Sequence, residues 1–291
     1  MSGSGDSLHI GSSALRGAYW ATAIAVDSEG FESVPVSVPL PPPGKSDLGR
    51  LIVVSVGTDD YSDPKIAKLR YAASDARRFL NAAKLNGGTY YRQVGGTGFY
   101  NSVQLREILI ARIEQIAVDA TEGDTVMLFV AGHGFKDSTT GRFFLATRET
   151  KLDRLSETAL AWDELAEAFG KVKARVVVFL DACQSGAVIN ASTNDDAVSE
   201  FMLKGRPVTV IAAAKGRQSS VERSDAGGGI FTAALVRAIN TNRSPNVGDG
   251  TGVIELSDLY AAIKHDVFKM SHGMQTPWIA RDGMIGEIPL F

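Results

Sequence analysis

One cysteine, Cys183, stands in a chain of 291 residues, so no disulfide can form within it. That fits a reducing compartment, and a cytoplasmic location is the expectation. It also removes a dithiol redox centre, which needs a second cysteine close by. An excess of charge is missing too: 30 basic residues face 33 acidic ones, for a net charge of −3. Nothing in that balance draws the chain to nucleic acid or to an anionic membrane. No run approaches the ~18 consecutive apolar residues of a membrane-spanning helix. The N-terminus lacks the charged-then-apolar layout of a secretion signal. Residues 184–190 contain no arginine, which excludes the phosphate loop of a cysteine-dependent phosphatase. The first core strand is followed by Val56-Gly57-Thr58-Asp59-Asp60, without the Gly-x-Gly-x-x-Gly of a dinucleotide site. No repeat of fixed period is present.

Apolar residues make up 44% of the chain, enough for a sizeable core. Met1-Ser2-Gly3-Ser4-Gly5 has linker composition, so the chain is expected to be part of a longer polypeptide or of a larger complex. Tyr19 to Val26 and Phe31 to Val38 flank the turn Asp27-Ser28-Glu29-Gly30 and predict a β-hairpin, similar to the last two strands of an immunoglobulin-like module. Four prolines within Pro39–Pro43 form a stiff linker. The boundary falls near residue 48, giving an extension over 1–48 and a main domain over 49–291.

The main domain alternates strands and helices. Strands are predicted at Leu51–Val56, Tyr91–Val94, Val126–Ala131, Arg175–Asp181 and Val208–Ala214. Helices are predicted at Ala72–Lys84, Ser102–Val118, Trp162–Val172, Ile230–Ile239 and Leu256–Phe268. Such alternation predicts an α/β fold, a mainly parallel sheet flanked by helices on both faces.

Two of the apolar runs end in chemically capable residues. Val176-Val177-Val178-Phe179-Leu180 leads into Asp181-Ala182-Cys183-Gln184-Ser185-Gly186. Val126-Met127-Leu128-Phe129-Val130 leads into Ala131-Gly132-His133-Gly134. Carboxyl ends of parallel strands carry the site in open α/β sheets. Taken singly, Cys183 reads as a small buried hydrophobe and His133 as a satisfied loop or core histidine. Taken together, at two glycine-flanked strand ends, they make a cysteine-histidine dyad if the strands are neighbours. The flanking glycines let backbone approach a ligand, and their N–H groups suit an oxyanion.

On these residues the chain resembles the caspase-like cysteine peptidases. The histidine precedes the cysteine by 50 residues, the caspase spacing. The form Asp-Ala-Cys-Gln-Ser-Gly is similar to metacaspases and bacterial caspase-like proteins rather than to the caspase signature Gln-Ala-Cys. Arg50 to Tyr61, Leu69 to Ala76, Gly229 to Leu235 and Gln275 to Trp278 match as well, so the resemblance covers about residues 50–291. It implies a cysteine endopeptidase with His133 and Cys183 as catalytic dyad. The N–H groups of Gly134 and Cys183 would hold the oxyanion, and a backbone carbonyl would orient the histidine. It implies a protein or peptide substrate, no nucleic acid and no membrane, and no cofactor for the chemistry.

The resemblance also implies an acidic pocket for arginine or lysine before the cut bond, lined by Asp75 and Asp181. Without it, Asp75 reads as a helix cap and Asp181 as a strand-end carboxylate held by loop amides. Arg217 points the other way, since an arginine in the pocket would select an acidic residue. Ala131 departs from relatives that carry a hydroxyl there. The polar stretch 187–206 corresponds to a region often cleaved during maturation, and Lys204 and Arg206 are allowed sites for self-cleavage. Related metacaspases commonly need calcium, but Asp195 and Asp196 alone make no calcium site. The alternative from another class is a catalytically silent caspase-like scaffold that binds a partner through the hairpin or a sheet edge.

Overall fold

The computed structural model describes residues 2–4, 7–9, 20–31, 33–39, 49–183, 198, 208–214, 222–223, 225–241, 254–282 and 288–291. In the extension, β1 (Ser2–Ser4) pairs antiparallel with β2 (Ser7–His9). The hairpin pairs β3 (Trp20–Ala23) with β4 (Val36–Pro39). These strands are shorter than the sequence pattern predicts. Near the turn, side chains supplement the remaining backbone bonds: the Ala25 amide donates to the Ser33 hydroxyl, and Asp27 Oδ1 accepts the Glu29 and Phe31 amides. The hairpin is a sheet of its own, and Phe31, Val34, Val36 and Val38 stay exposed.

The main domain runs β5 (Arg50–Gly57), α1 (Ala72–Gly87), β6 (Gln93–Tyr100), α2 (Leu105–Asp119) and β7 (Thr125–Lys136). Then come β8 (Phe143–Leu145), α3 (Leu155–Thr158), β9 (Leu160–Ala161), α4 (Trp162–Gly170) and β10 (Arg175–Cys183). It continues with β11 (Val208–Ala212), β12 (Glu222–Arg223), β13 (Gly228–Gly229), α5 (Ile230–Thr241), α6 (Leu256–Met270) and β14 (Trp278–Asp282). The sheet order is β14-β11-β10-β7-β5-β6, parallel throughout except for β14 against β11.

Strand alternation splits the core into two layers. Val53, Met127, Phe129, Val177, Phe179 and Ile211 face α1, α5 and α6. Val54, Val126, Leu128, Val176, Val178 and Val210 face α2 and α4. Phe79 pins α1 to the first layer, its ring 4.9 Å from Phe129 and 5.2 Å from Phe179. Such ring pairs contribute about 0.5–1.5 kcal/mol beyond the area they bury. Gly57 is where α1 crosses the end of β5, and a Cβ there would strike the Ala72 carbonyl.

Several boundaries differ from the sequence pattern for visible reasons. The strand predicted at Tyr91–Val94 lies at Gln93–Tyr100, and Tyr90 and Tyr91 pack into the core instead. A Cβ on Gly96 within this strand would come within 2.5 Å of the Leu80 side chain, which would have to shift. Helix α2 begins at Leu105 rather than Ser102 because Asn101 and Gln104 have φ of 51° and 53°. Strand β7 continues past Ala131 to Lys136, where its last residues pair antiparallel with β8. Strand β14 was not expected from the sequence.

An ion pair closes the opposite end of the sheet. Asp124, with its side chain fully buried, accepts the Arg50 amide, the Arg50 guanidinium and the Thr121 amide and hydroxyl. Burial alone would raise its carboxyl, but these donors together hold it down at about 2. Removing one partner of a buried pair is costly, so Asp124→Ala should lower stability by about 3 kcal/mol, read as a lower urea midpoint at pH 7. The folded carboxyl titrates below its unfolded value near 4. Its contribution is therefore complete above pH ~4 and is lost as pH falls toward about 2.

Candidate active site

Strands β7 and β10 are parallel neighbours, and the ladder pairs Ala131 with Asp181, Gly132 with Ala182, and His133 with Cys183. The two strand ends picked out by the sequence thus meet residue for residue. The backbone of Cys183 is described; its side chain is outside the described atoms.

His133 is 2% exposed. Its Nε2 lies 2.8 Å from the Ala67 carbonyl. A carbonyl only accepts, so Nε2 carries a proton, and in the neutral ring Nδ1 is the basic nitrogen. Ala67, which sequence reasoning did not single out, supplies this carbonyl. The His133 amide donates to Tyr61 Oη at 3.1 Å, and its carbonyl accepts from the Ala146 amide at 2.9 Å. That last bond makes Gly134 and Leu145 a pair without mutual hydrogen bonds in the β7–β8 ladder. The Gly134 N–H consequently turns away from β8.

Asp75 and Asp181 lie close together. They line one small recess with Leu69, Ala72, Ala131, Gly132, Glu222 and Gly229. Both carboxylates approach Gly229: a Cβ there would stand 2.8 Å from Asp181 and 3.0 Å from Asp75. Asp75 is not the helix cap. The Ala73 amide at the start of α1 donates to Asp59 Oδ1 at 3.1 Å, and Glu222 accepts the Arg70 and Tyr71 amides just before it. Asp75 instead accepts the Gly229 amide at 2.7 Å and the Arg78 guanidinium at 3.1 Å. Asp181 accepts the Thr232 hydroxyl at 2.6 Å, from a helix side chain that the sequence did not suggest.

Burial raises the Asp75 carboxyl to about 7, and the neighbouring Asp181 adds to the rise; the Gly229 amide and Arg78 oppose it. Glu222, Arg78 and Thr232 went unnoticed in the sequence. Arg78 alone left a signal, one helical turn after Asp75. The recess measures only about 10 Å³, roughly the room for one water molecule.

Arg217, Lys204, Arg206, Asp195 and Asp196 lie outside the described residues. Among the described residues, no three histidine, cysteine, aspartate or glutamate side chains are grouped to hold a metal. Nor is any described helix long and apolar enough to cross a membrane.

A cysteine and a histidine in register on neighbouring parallel strands, beside a carboxylate-lined recess, define a caspase-type α/β domain. The family model described as the caspase domain matches residues 51–287, and the chain belongs to that family of cysteine peptidases. Among solved structures, protein GSU0716 from Geobacter sulfurreducens is similar at 20% identity, with a TM-score of 0.57 over 81% of this chain and 95% of that one. Caspase-1 from Spodoptera frugiperda is similar at 12% identity, with a TM-score of 0.50 over 80% of this chain and 86% of that one. At such identities the likeness is one of fold. Among curated proteins none matches.

Proposed function

We propose that the chain is a cysteine endopeptidase that cuts after arginine or lysine. The observation that carries the reading is the His133–Cys183 register, with the Ala67 carbonyl holding Nε2. The Cys183 thiol passes its proton to His133 Nδ1, and the thiolate attacks the scissile carbonyl carbon. A carbon–sulfur bond forms while the carbonyl π pair moves onto oxygen. The Gly134 and Cys183 N–H groups receive that oxyanion. Its collapse breaks the carbon–nitrogen bond, and the leaving amine takes the proton from the imidazolium. Water, deprotonated by His133, then hydrolyses the thioester and frees the thiol.

Asp75, Asp181 and Glu222 give the recess three acidic groups for a basic side chain. A recess of about 10 Å³ does not admit one, so it has to widen for a substrate side chain to enter. A permanently closed recess would instead suit a catalytically silent scaffold.

Iodoacetamide separates the two readings. Peptidase activity should fall in step with carboxamidomethylation of the one thiol. Mass spectra of stored untreated protein should show fragments ending at Lys204 or Arg206, whereas alkylated protein stays whole. Full alkylation with undiminished activity, or equal fragmentation of both samples, counts against the thiol mechanism.

A further inference from the structure

The segment between β5 and α1 holds His133 at two points. Ala67 takes the ring proton, and Tyr61 takes the backbone amide. The second contact fills a gap in the sheet. The β5–β7 ladder ends with Gly57 beside Ala131, and the Thr58 amide still donates to the Ala131 carbonyl at 3.1 Å. The chain then turns away, so β5 offers no carbonyl to the next amide on that side of β7, which is that of His133. Tyr61 Oη stands there instead. It accepts the His133 amide at 3.1 Å and donates to the Thr58 carbonyl at 2.7 Å, which ties the histidine back to the end of β5. The Tyr61 ring is buried, 5.2 Å from the imidazole and inclined to it by 33°.

The segment is itself anchored. Asp63 accepts the Lys65 amide at 3.0 Å and the Leu152 amide at 2.9 Å. The Ser62 amide donates to the Arg148 carbonyl, and Lys151 Nζ donates to the Ser62 carbonyl, both at 2.8 Å. Tyr61 and Ala67 thus act on His133 from a loop with little freedom.

We propose that Tyr61 is a positioning residue for His133: its hydroxyl completes the ladder at the histidine and fixes the imidazole for its exchange with Cys183. This rests on the thiol–imidazole reading above. Phenylalanine keeps the ring and removes the hydroxyl, leaving the His133 amide without this acceptor and the Thr58 carbonyl without this donor.

The test is the pH dependence of Cys183 alkylation by iodoacetamide, which follows the thiolate. In the wild type the midpoint should lie below the ordinary thiol value of about 8.5, and His133→Ala should move it up to about that value. Tyr61→Phe should move it in the same direction by about 0.5–1 unit, and lower kcat about tenfold with KM within twofold. If His133→Ala shifts the midpoint and Tyr61→Phe does not, the positioning role is overturned and the dyad stands. If His133→Ala shifts nothing, the dyad itself fails. Should Tyr61→Phe not melt cooperatively, Asp63→Asn, which loosens the same segment, is measured instead. A raised midpoint supports the role, and an unchanged one overturns it.

Discussion

Replacing Cys183 or His133 by alanine should remove amide hydrolysis and leave the domain folded. The dyad acts as a unit, so each single replacement is expected to cost about 10⁴-fold or more in kcat. Folding should survive because Cys183→Ala removes a single sulfur atom and the His133 ring lies outside the two apolar core layers. The His133 amide and carbonyl keep their bonds to Tyr61 and Ala146 in the alanine variant. What is lost is the Ala67–Nε2 bond, at about 0.5–1.5 kcal/mol, since Ala67 is exposed and water can replace the donor. Cleavage of a peptide amide and thermal melting, measured on the same preparations, check both halves. Residual turnover by Cys183→Ala above a blank would mean that another group supplies the nucleophile.

The dyad was legible because its residues close strong apolar runs. Val126–Val130 and Val176–Leu180 are long enough to read as buried strands, and parallel strands put their ends on one edge. Their adjacency was not legible, since sequence order does not say that β7 and β10 are neighbours. Resemblance brought Asp75 and Asp181 together; no periodicity links residues on a helix and a distant strand. Glu222, Thr232 and Tyr61 act through contacts that only the folded chain creates. Tyr61 in particular substitutes for a missing strand, and a missing strand leaves no pattern. The strand predicted at Tyr91–Val94 fell short because Gly95, Gly96 and Gly98 carry no strand pattern, yet the edge strand accommodates them.

The preference for a basic residue should be strong and should depend on pH. Arginine before the cut bond should exceed lysine, because its planar fork engages two carboxylates at once. Aspartate there would face Asp75, Asp181 and Glu222 and should be cut far more slowly. Truncating one partner of a desolvated charge pair costs about 2–5 kcal/mol, so Asp181→Asn or Asp75→Asn should lower kcat/KM for arginine substrates about 30-fold or more. Thiol alkylation should be little changed in either variant.

The Asp75 carboxyl, raised to about 7 by burial and by Asp181, is largely protonated at pH 6 and largely ionised at pH 8. A guanidinium needs the ionised form, so kcat/KM on arginine substrates should rise through pH 7, and Asp75→Asn should remove the part of that rise not shared with thiol alkylation. Stability should run the opposite way. The folded state holds the Asp75 proton more tightly than the unfolded chain, so stability falls as pH climbs from about 4 to about 7. Asp75→Asn removes that loss and should melt higher than the wild type at pH 8 while cutting arginine substrates less well. A positional substrate scan at pH 6 and pH 8, with melting curves of both proteins, reads all of this together. A clear preference for aspartate in that scan would transfer the pocket's selectivity to a cation such as Arg217.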